Sequence, residues 1–388
     1  MAGDAIHLLV LSYEWPPLGG GTGVACQQVL AQFARDESLQ CDVLTSGPGA
    51  RLTRERPWDR VEIWRLPVGK REPHYWRASE LARWTWRSWR LCRALVRERS
   101  YDLCHCWSGW PAGFVGFLQR HRTPYIVSLR GSDVPGYSRR LRFLDPLVFR
   151  ALSRRVWREA AAVTTVSRRQ EIPVRKIVPE LRTHLIRNGA NTTDFTPGTP
   201  PRELDILFVG RLIERKGVAI LLEAFEALHR TRSDVHMTIV GDGPERSRLE
   251  EHVRIRDLAG RVTFLGSVPR ESLPEVYGRA SVFVLPAFEE AFPNASLEAM
   301  AAGLPVVTTT TGAAELIDGN GLVVEAGDAE ALWRALEVYA ADAEVRREHG
   351  RRSRQIAEAM SWEAVADSYR ALYRQVLDGK RAPRMESG

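Results

Sequence analysis

Strand-like apolar runs alternate with helical patterns along most of this chain, and the alternation is interrupted once, near its middle. The first series is AIHLLVLS, a helix after Thr22, CDVLTS, VEIWRLP, a long helix from about Arg77, YDLCHC, a helix after Pro111, PYIVSL, a helix around 146–157 and AAVTTVS. Strands separated by crossover helices pair in parallel, so this order demands a mostly parallel sheet with helices on both faces. At RNGANTTDFTPGTPPRE the pattern dissolves into Asn, Thr, Pro and Gly, the composition of a linker. It then restarts with LDILFVG, a helix from Lys216, VHMTIVG, a helix after Pro244, RVTFLG, ASVFVLPA, a short helix, PVVTTT and GLVV, followed by three further helical patterns. A length of 388 residues suits two such domains. The sequence therefore predicts an α/β protein of two doubly wound domains, residues 1–190 and 205–360, with a linker at 191–204. An amphipathic closing helix is expected over 361–378 and a disordered tail over 379–388. The cleft between the domains is the expected ligand site.

The stretch FEEAFPNASLEAMAAGLPVV, residues 288–307, shows where chemistry concentrates. Asn294 is a good N-cap, Gly303 stands where a helix stops, and Pro305 prevents continuation, which predicts a helix over Ala295–Ala302 feeding a strand at Val306–Thr309. Glu290 then lies on the loop beyond a buried strand ending near Leu285, and Glu298 in the first turns of the helix. In open α/β sheets that crevice binds ligands. Spacing alone does not choose between ligand contacts and a solvated pair.

Two further loops join a strand to a helix. YEWPPLGGGTGV places Gly19, Gly20, Gly21 and Gly23 before a helix N-terminus, where close backbone approach and unpaired amides favour an anion. A tight turn without a ligand is the alternative. It is a poor dinucleotide fingerprint, because Glu14, Trp15 and two prolines intervene between strand and glycines. In FVGRLIERKGVAILLEAF, Arg211 and Lys216 bracket a connection that suits phosphate, or are solvent-facing cations.

Composition narrows the classes. The five cysteines, Cys26, Cys41, Cys92, Cys104 and Cys106, are odd in number and confined to the first third, which argues against a disulfide framework. The CHC triplet sits in a strand without a second pair, so no metal site is expected. No apolar run approaches the eighteen residues or so of a membrane span, and the start lacks a signal-peptide core, so the protein is expected in the cytoplasm. Residues 1–200 hold 31 Lys and Arg against 18 Asp and Glu, a net of +13, whereas the whole chain is +7. A basic first half suits an anionic surface. In ELARWTWRSWRLCRALVRERS the helical wheel sets Leu81, Trp84, Leu91, Cys92, Leu95 and Val96 on one arc. Arg83, Arg87, Arg90, Arg93, Arg97 and Trp86 lie on the other. That arc is either solvated or meets an anionic membrane, which would place the protein peripherally on the inner face of the plasma membrane. No nucleic-acid-binding module is present.

Taken together, PPLGGGTG, HLIRNGANTTDF, VGRLIERKG, VGDGPERSRLE, VTFLGSV, EEAFPNASLEAMAAGLPVV and GLVV resemble, over nearly the whole chain and in this order, the retaining GT-B glycosyltransferases of glycosyltransferase family 4. The resemblance implies two Rossmann-like domains facing a central cleft, the first binding the acceptor, the second a nucleotide-diphosphate sugar, with the closing helix crossing back to the first domain. It implies that Arg211 and Lys216 bind the diphosphate, Glu298 the ribose hydroxyls and Glu290 the donor sugar. The backbone of Phe292, Pro293, Asn294 and Ala295 then meets sugar hydroxyls and the distal phosphate, and the amides around Gly20 and Gly21 help stabilise the leaving group. Transfer with retention, no cofactor or metal, and a glycan, lipid-linked or small-molecule acceptor follow from the same likeness. Many relatives have a histidine after the strand matching PYIVSL; here Arg130 stands in SLRGSDVPG. Arginine cannot serve as a base at neutral pH, so Arg130 and Asp133 either position substrate or form a loop pair. His105 is the other polar candidate, or a core histidine. A nucleotide-sugar epimerase or phosphorylase-like enzyme on the same fold, and a non-catalytic membrane-associated scaffold, are the competing readings.

Overall fold

The structure, a computed structural model, describes residues 5–72, 75–131, 133–135, 149–199 and 204–381. The chain divides into two compact units, residues 1–188 with 362–388, and residues 189–361.

The first unit carries strands β1 (Ile6–Leu11), β2 (Leu39–Gly47), β3 (Thr53–Trp58), β4 (Val61–Pro67), β5 (Leu103–Cys106), β6 (Tyr125–Ser128), β7 (Ala162–Thr165) and β8 (Thr183–Leu185). They form one sheet in the order β3-β4-β2-β1-β5-β6-β7-β8, parallel throughout except for the antiparallel β3–β4 pair. Helices α1 (Gly21–Phe33), α2 (Ala78–Glu98), α3 (Ala112–Leu118), α4 (Arg150–Arg158) and α5 (Arg168–Ile177) connect them. Period-two alternation sorts each buried strand between two cores. Leu8 and Val10 of β1 enter one core with α1, whereas Leu9 and Leu11 enter the other with Trp84, Cys92 and Leu95 of α2.

The second unit is built from β9 (Leu204–Val209), β10 (Val235–Val240), β11 (Val262–Gly266), β12 (Val282–Leu285), β13 (Val306–Thr309) and β14 (Gly321–Val324). Their order is β11-β10-β9-β12-β13-β14, every pairing parallel. Its helices are α6 (Val218–Thr231), α7 (Arg246–Ile255), α8 (Leu273–Gly278), α9 (Asn294–Ala301), α10 (Ala329–Ala341) and α11 (Ala343–Ala359). The strand order reverses between β9 and β12, and the loops leaving those two strands therefore diverge and open a crevice at their carboxyl ends. In the first unit the reversal lies between β1 and β5.

The closing helix α12 (Trp362–Arg381) belongs to the first unit. Trp362, Val365, Ala366, Tyr369, Leu372 and Tyr373 recur at helical spacing and enter the core that α1 shares. Tyr373 meets Phe33 edge-on at 5.8 Å, and Arg370 pairs with Asp36 at 2.6 Å.

Several boundaries differ from the sequence reading. Within the linker expected over 191–204, the chain packs on the second unit: Phe195 is buried in its core, and Arg354 donates to the carbonyls of Thr192 and Phe195. Residues 200–203, and the tail from 382, lie outside the described residues. The first part of the helix placed at 146–157 does so too. Strand β3 was not anticipated because its residues, exposed except for Trp58, show no alternation. The helix expected from Lys216 begins at Val218, since Glu214–Lys216 form a 3-10 turn ended by Gly217 in the left-handed region.

Candidate functional site

In the second unit, two loops meet at the carboxyl ends of β9 and β12. The 3-10 turn after β9 is tied to the loop after β12 by three contacts. The Phe288 amide donates to the Arg215 carbonyl at 2.9 Å, Arg215 Nη1 donates to the Glu289 carbonyl at 3.3 Å, and Lys216 Nζ pairs with a Glu290 carboxylate oxygen. Lys216 and Glu290 are largely buried, so their charges meet in a partly desolvated setting and satisfy one another. Gly217 makes this approach feasible: its φ is +70°, and a Cβ there would lie 2.0 Å from the Pro286 carbonyl oxygen. Gly241 is equally confined, since a Cβ would fall 1.9 Å from the Gly210 carbonyl oxygen. The Arg211 segment is thereby laid against the loop after β10, where the Leu212 amide donates to the Asp242 carbonyl at 2.9 Å. Arg211 itself is exposed.

Helix α9 holds the second carboxylate. Glu298 accepts from Tyr277 Oη at 3.1 Å and from Arg270 Nη1 at 3.2 Å. Burial pushes its carboxyl up, while the Arg270 charge and the Tyr277 hydroxyl pull the other way. Tyr277 also donates to the Ala295 carbonyl at 3.2 Å, fixing the first turn of α9. Asn294 is the first helical residue rather than the cap; Pro293 occupies that position, with no side-chain cap bond. Pro293 has no N–H, so of the backbone from Phe292 to Ala295 it contributes shape but no donor. Arg215, Arg270 and Tyr277 were not singled out by sequence. The last two reach Glu298 across 28 and 21 residues, a proximity that only the fold creates.

In the first unit, the glycine loop follows β1. Gly19 has φ +96°, and a Cβ there would stand 2.6 Å from the Glu14 side chain. Glu14 Oε2 accepts the Gly20 amide at 3.0 Å, so a carboxylate of the chain itself sits at the start of α1, which begins at Gly21. The anion-seeking property of this helix end is thus used internally.

His105 is buried on β5, pointing toward α12, whereas Cys104 and Cys106 enter the opposite core. The three side chains of CHC therefore do not converge, and among the described residues no cluster of three His, Cys, Asp or Glu could hold a metal ion. Both ring nitrogens of His105 are engaged, Nδ1 with Tyr373 Oη at 2.6 Å and Nε2 with Ser128 Oγ at 2.7 Å. This is the environment of a satisfied core histidine. Burial pushes its pKa well below the ordinary 6.5, and the Arg130 charge adds to the shift. His105 thus stays neutral in the fold and gains its proton only on unfolding, so stability is lost as pH falls below about 6.5. Urea unfolding at pH 7 and pH 5.5 should show a loss about 1 kcal/mol larger in the wild type than in His105→Gln. Equal losses would mean that the ring protonates within the fold.

Arg130 stands at the end of β6. Its amide donates to Asp133 Oδ1 at 2.9 Å, and Asp133 Oδ2 accepts the Gly109 amide at 2.5 Å. The guanidinium lies over the Trp107 ring at 4.0 Å and donates to Asn188 Oδ1 at 2.8 Å.

Two family models cover most of the chain: "Glycosyl transferase 4-like domain" matches residues 20–189, and "Glycosyl transferases group 1" matches residues 203–342. An uncharacterized glycosyltransferase of Methanocaldococcus jannaschii is 28% identical over 335 residues, 79% of this chain and 81% of its own. Among solved structures, a sucrose-phosphate synthase from Thermosynechococcus elongatus superposes with a TM-score of 0.81 at 25% identity, over 96% of this chain and 100% of that one. Anabaena HepE in complex with UDP superposes with a TM-score of 0.73 at 19% identity, over 96% and 100%. The chain belongs to the GT-B glycosyltransferases of glycosyltransferase family 4.

Proposed function

We propose that this glycosyltransferase takes its sugar from a nucleotide-diphosphate donor held by the second unit and transfers it with retention of configuration, without a metal. The observation that carries the reading is the meeting of Lys216 and Glu290 at the crevice between β9 and β12, with Glu298 held on α9 by Arg270 and Tyr277. Negative charge develops on the leaving diphosphate, and Lys216 and Arg211 supply the matching positive charge. Glu298 offers two acceptor oxygens to a ribose diol. Glu290 exchanges Lys216 for hydroxyls of the donor sugar as Lys216 turns to phosphate. A structural neighbour of the same fold, HepE, binds UDP, which supports a donor of this class. An epimerase or phosphorylase-like enzyme would use the same donor crevice and differs in its product.

Incubation with radiolabelled UDP-, GDP-, ADP- and TDP-sugars and a glycan and lipid extract should give a transferred label, undiminished by EDTA. Activity lost to EDTA and restored by magnesium or manganese would overturn the metal-free reading. Interconversion of the sugar, or its release by phosphate, would replace transfer altogether.

The first unit supports an encounter with an anionic membrane at the cytoplasmic face. On α2, Arg83, Arg87, Arg90, Arg93 and Arg97 are exposed, and Trp86 is 51% exposed. Arg90 lies over the Trp86 ring at 5.4 Å and Arg93 over Trp89 at 5.8 Å, an alternation of cation and indole suited to a headgroup boundary. No described helix is long and apolar enough to cross a membrane. Each arginine near such a surface contributes about 1 kcal/mol, so Gln at positions 83, 87 and 90 should release the protein from anionic liposomes at low salt. Failure of the wild type to sediment with those liposomes would leave this face merely solvated.

A further inference from the structure

Arg130 is a cation with few direct hydrogen-bond partners among the described residues. Among the described residues no carboxylate lies within ion-pair distance of its guanidinium, and Nε, although buried, has no hydrogen-bond partner. Among the described residues, Nη1 donates to Asn188 and Nη2 makes a long 3.5 Å contact with Tyr369 Oη. Asp133 feels the Arg130 charge, but its oxygens accept from the Gly109 and Arg130 amides rather than from the guanidinium. Described groups around the guanidinium include the Trp107 ring, Asn188, Tyr369 and the buried, neutral His105.

Holding a half-buried guanidinium carries a desolvation cost that hydrogen bonds to neutral partners such as Asn188 and Tyr369 repay only in part. An oxyanion from a ligand would repay it, because the guanidinium fork presents five donors in one plane and the contacts to Asn188 and Tyr369 use two of them. The position is right for a ligand: Arg130 follows β6 at the carboxyl end of the sheet, close to where its strand order reverses. Trp107 beneath and Asn188 beside it hold the fork in one orientation, so little entropy is lost on binding.

We propose that Arg130 anchors an oxyanion group, a phosphate or a carboxylate, carried by the acceptor. The assignment to the acceptor rests on the proposed function, in which the donor diphosphate already has Lys216 and Arg211 in the second unit. On the first unit, moreover, the glycine loop presents the Glu14 carboxylate at Gly20, which disfavours a second site for the donor phosphates there.

The test uses the full chain carrying Lys216→Gln, so that the donor-site lysine does not contribute, with inorganic phosphate and acetate as probes in isothermal titration. Arg130→Gln should weaken phosphate, acetate or both by about tenfold or more, the loss of one charge-assisted contact, and Arg130→Lys should recover part of it. In the Lys216 background the backbone bonds to Asp133 persist in either variant, so thermal melts should stay close to the parent. Separately, with Lys216 intact, Arg130→Gln should leave UDP affinity unchanged. Equal anion affinity with and without Arg130 overturns the proposal. So does a fall in UDP affinity as large as that for phosphate, which would make the anion the donor's own. If UDP fails to bind the wild type at all, the donor reading fails on that ground, and the anion titration still decides whether Arg130 forms a site.

Discussion

Replacing Lys216 with alanine should lower the turnover number by about 10²–10³-fold, the range seen when one group stabilising developing negative charge is removed. Affinity for the nucleotide diphosphate should fall as well, by roughly 1.5–3 kcal/mol. The two effects have one origin. In the fold Lys216 neutralises Glu290, and both side chains are largely buried. Without the lysine, Glu290 would remain as an uncompensated carboxylate at the proposed diphosphate site, which would then turn from attractive to repulsive. Glu290→Gln should consequently be milder for nucleotide affinity than Lys216→Ala, because it releases the lysine for phosphate. The double variant should lose less than the sum of the two singles, the signature of residues in direct contact. Single-turnover rates and nucleotide titrations on the three variants check this. Additive losses would mean that the pair seen here is incidental to the reaction.

Gly217→Ala should destabilise the second unit by about 3 kcal/mol and lower its melting temperature by on the order of 10 °C. Two separate penalties coincide at this glycine: a left-handed backbone with φ +70°, and a Cβ that would lie 2.0 Å from the Pro286 carbonyl oxygen. Relief requires the 3-10 turn and the loop after β12 to move apart, and those segments carry Lys216 and Glu290. Donor affinity should therefore fall even at temperatures where the variant is folded. Gly260→Ala is the control, since a Cβ there meets nothing within 4 Å. Similar melting temperatures for the two variants would show that the loops are not packed as described.

Much of this arrangement was legible in the sequence because it rests on local rules. Buried parallel strands are short apolar runs, and Gly303 at φ +73° ends α9 where a glycine before a proline should. The acidic residues in 288–307 fell on a loop and a helix for the same reason. What escaped the sequence depends on distant groups. Glu14 filling the α1 N-terminus could not be foreseen, because acid and amide are brought together by the turn between Trp15 and Leu18. Phe195 buries in the second core although its flanking residues have linker composition. His105 was ambiguous until α12 supplied Tyr373, 268 residues away, as a partner for its ring. Arg130 could be noticed as a departure at a known position, but the neutral hydrogen-bond partners of its guanidinium, Asn188 and Tyr369, are brought to it by the fold alone.

The central claim, that the second unit holds a nucleotide-diphosphate donor through Lys216, Glu290 and Glu298, is tested most directly by nucleotide-induced thermal stabilisation. Wild-type protein and Glu298→Ala are melted with UDP, GDP, ADP and TDP, because a ligand that binds only the folded state raises the apparent melting temperature. One of the four nucleotides should stabilise the wild type, and the same nucleotide should do so much less in Glu298→Ala. No stabilisation by any of them, or an equal shift in the two proteins, would contradict the account.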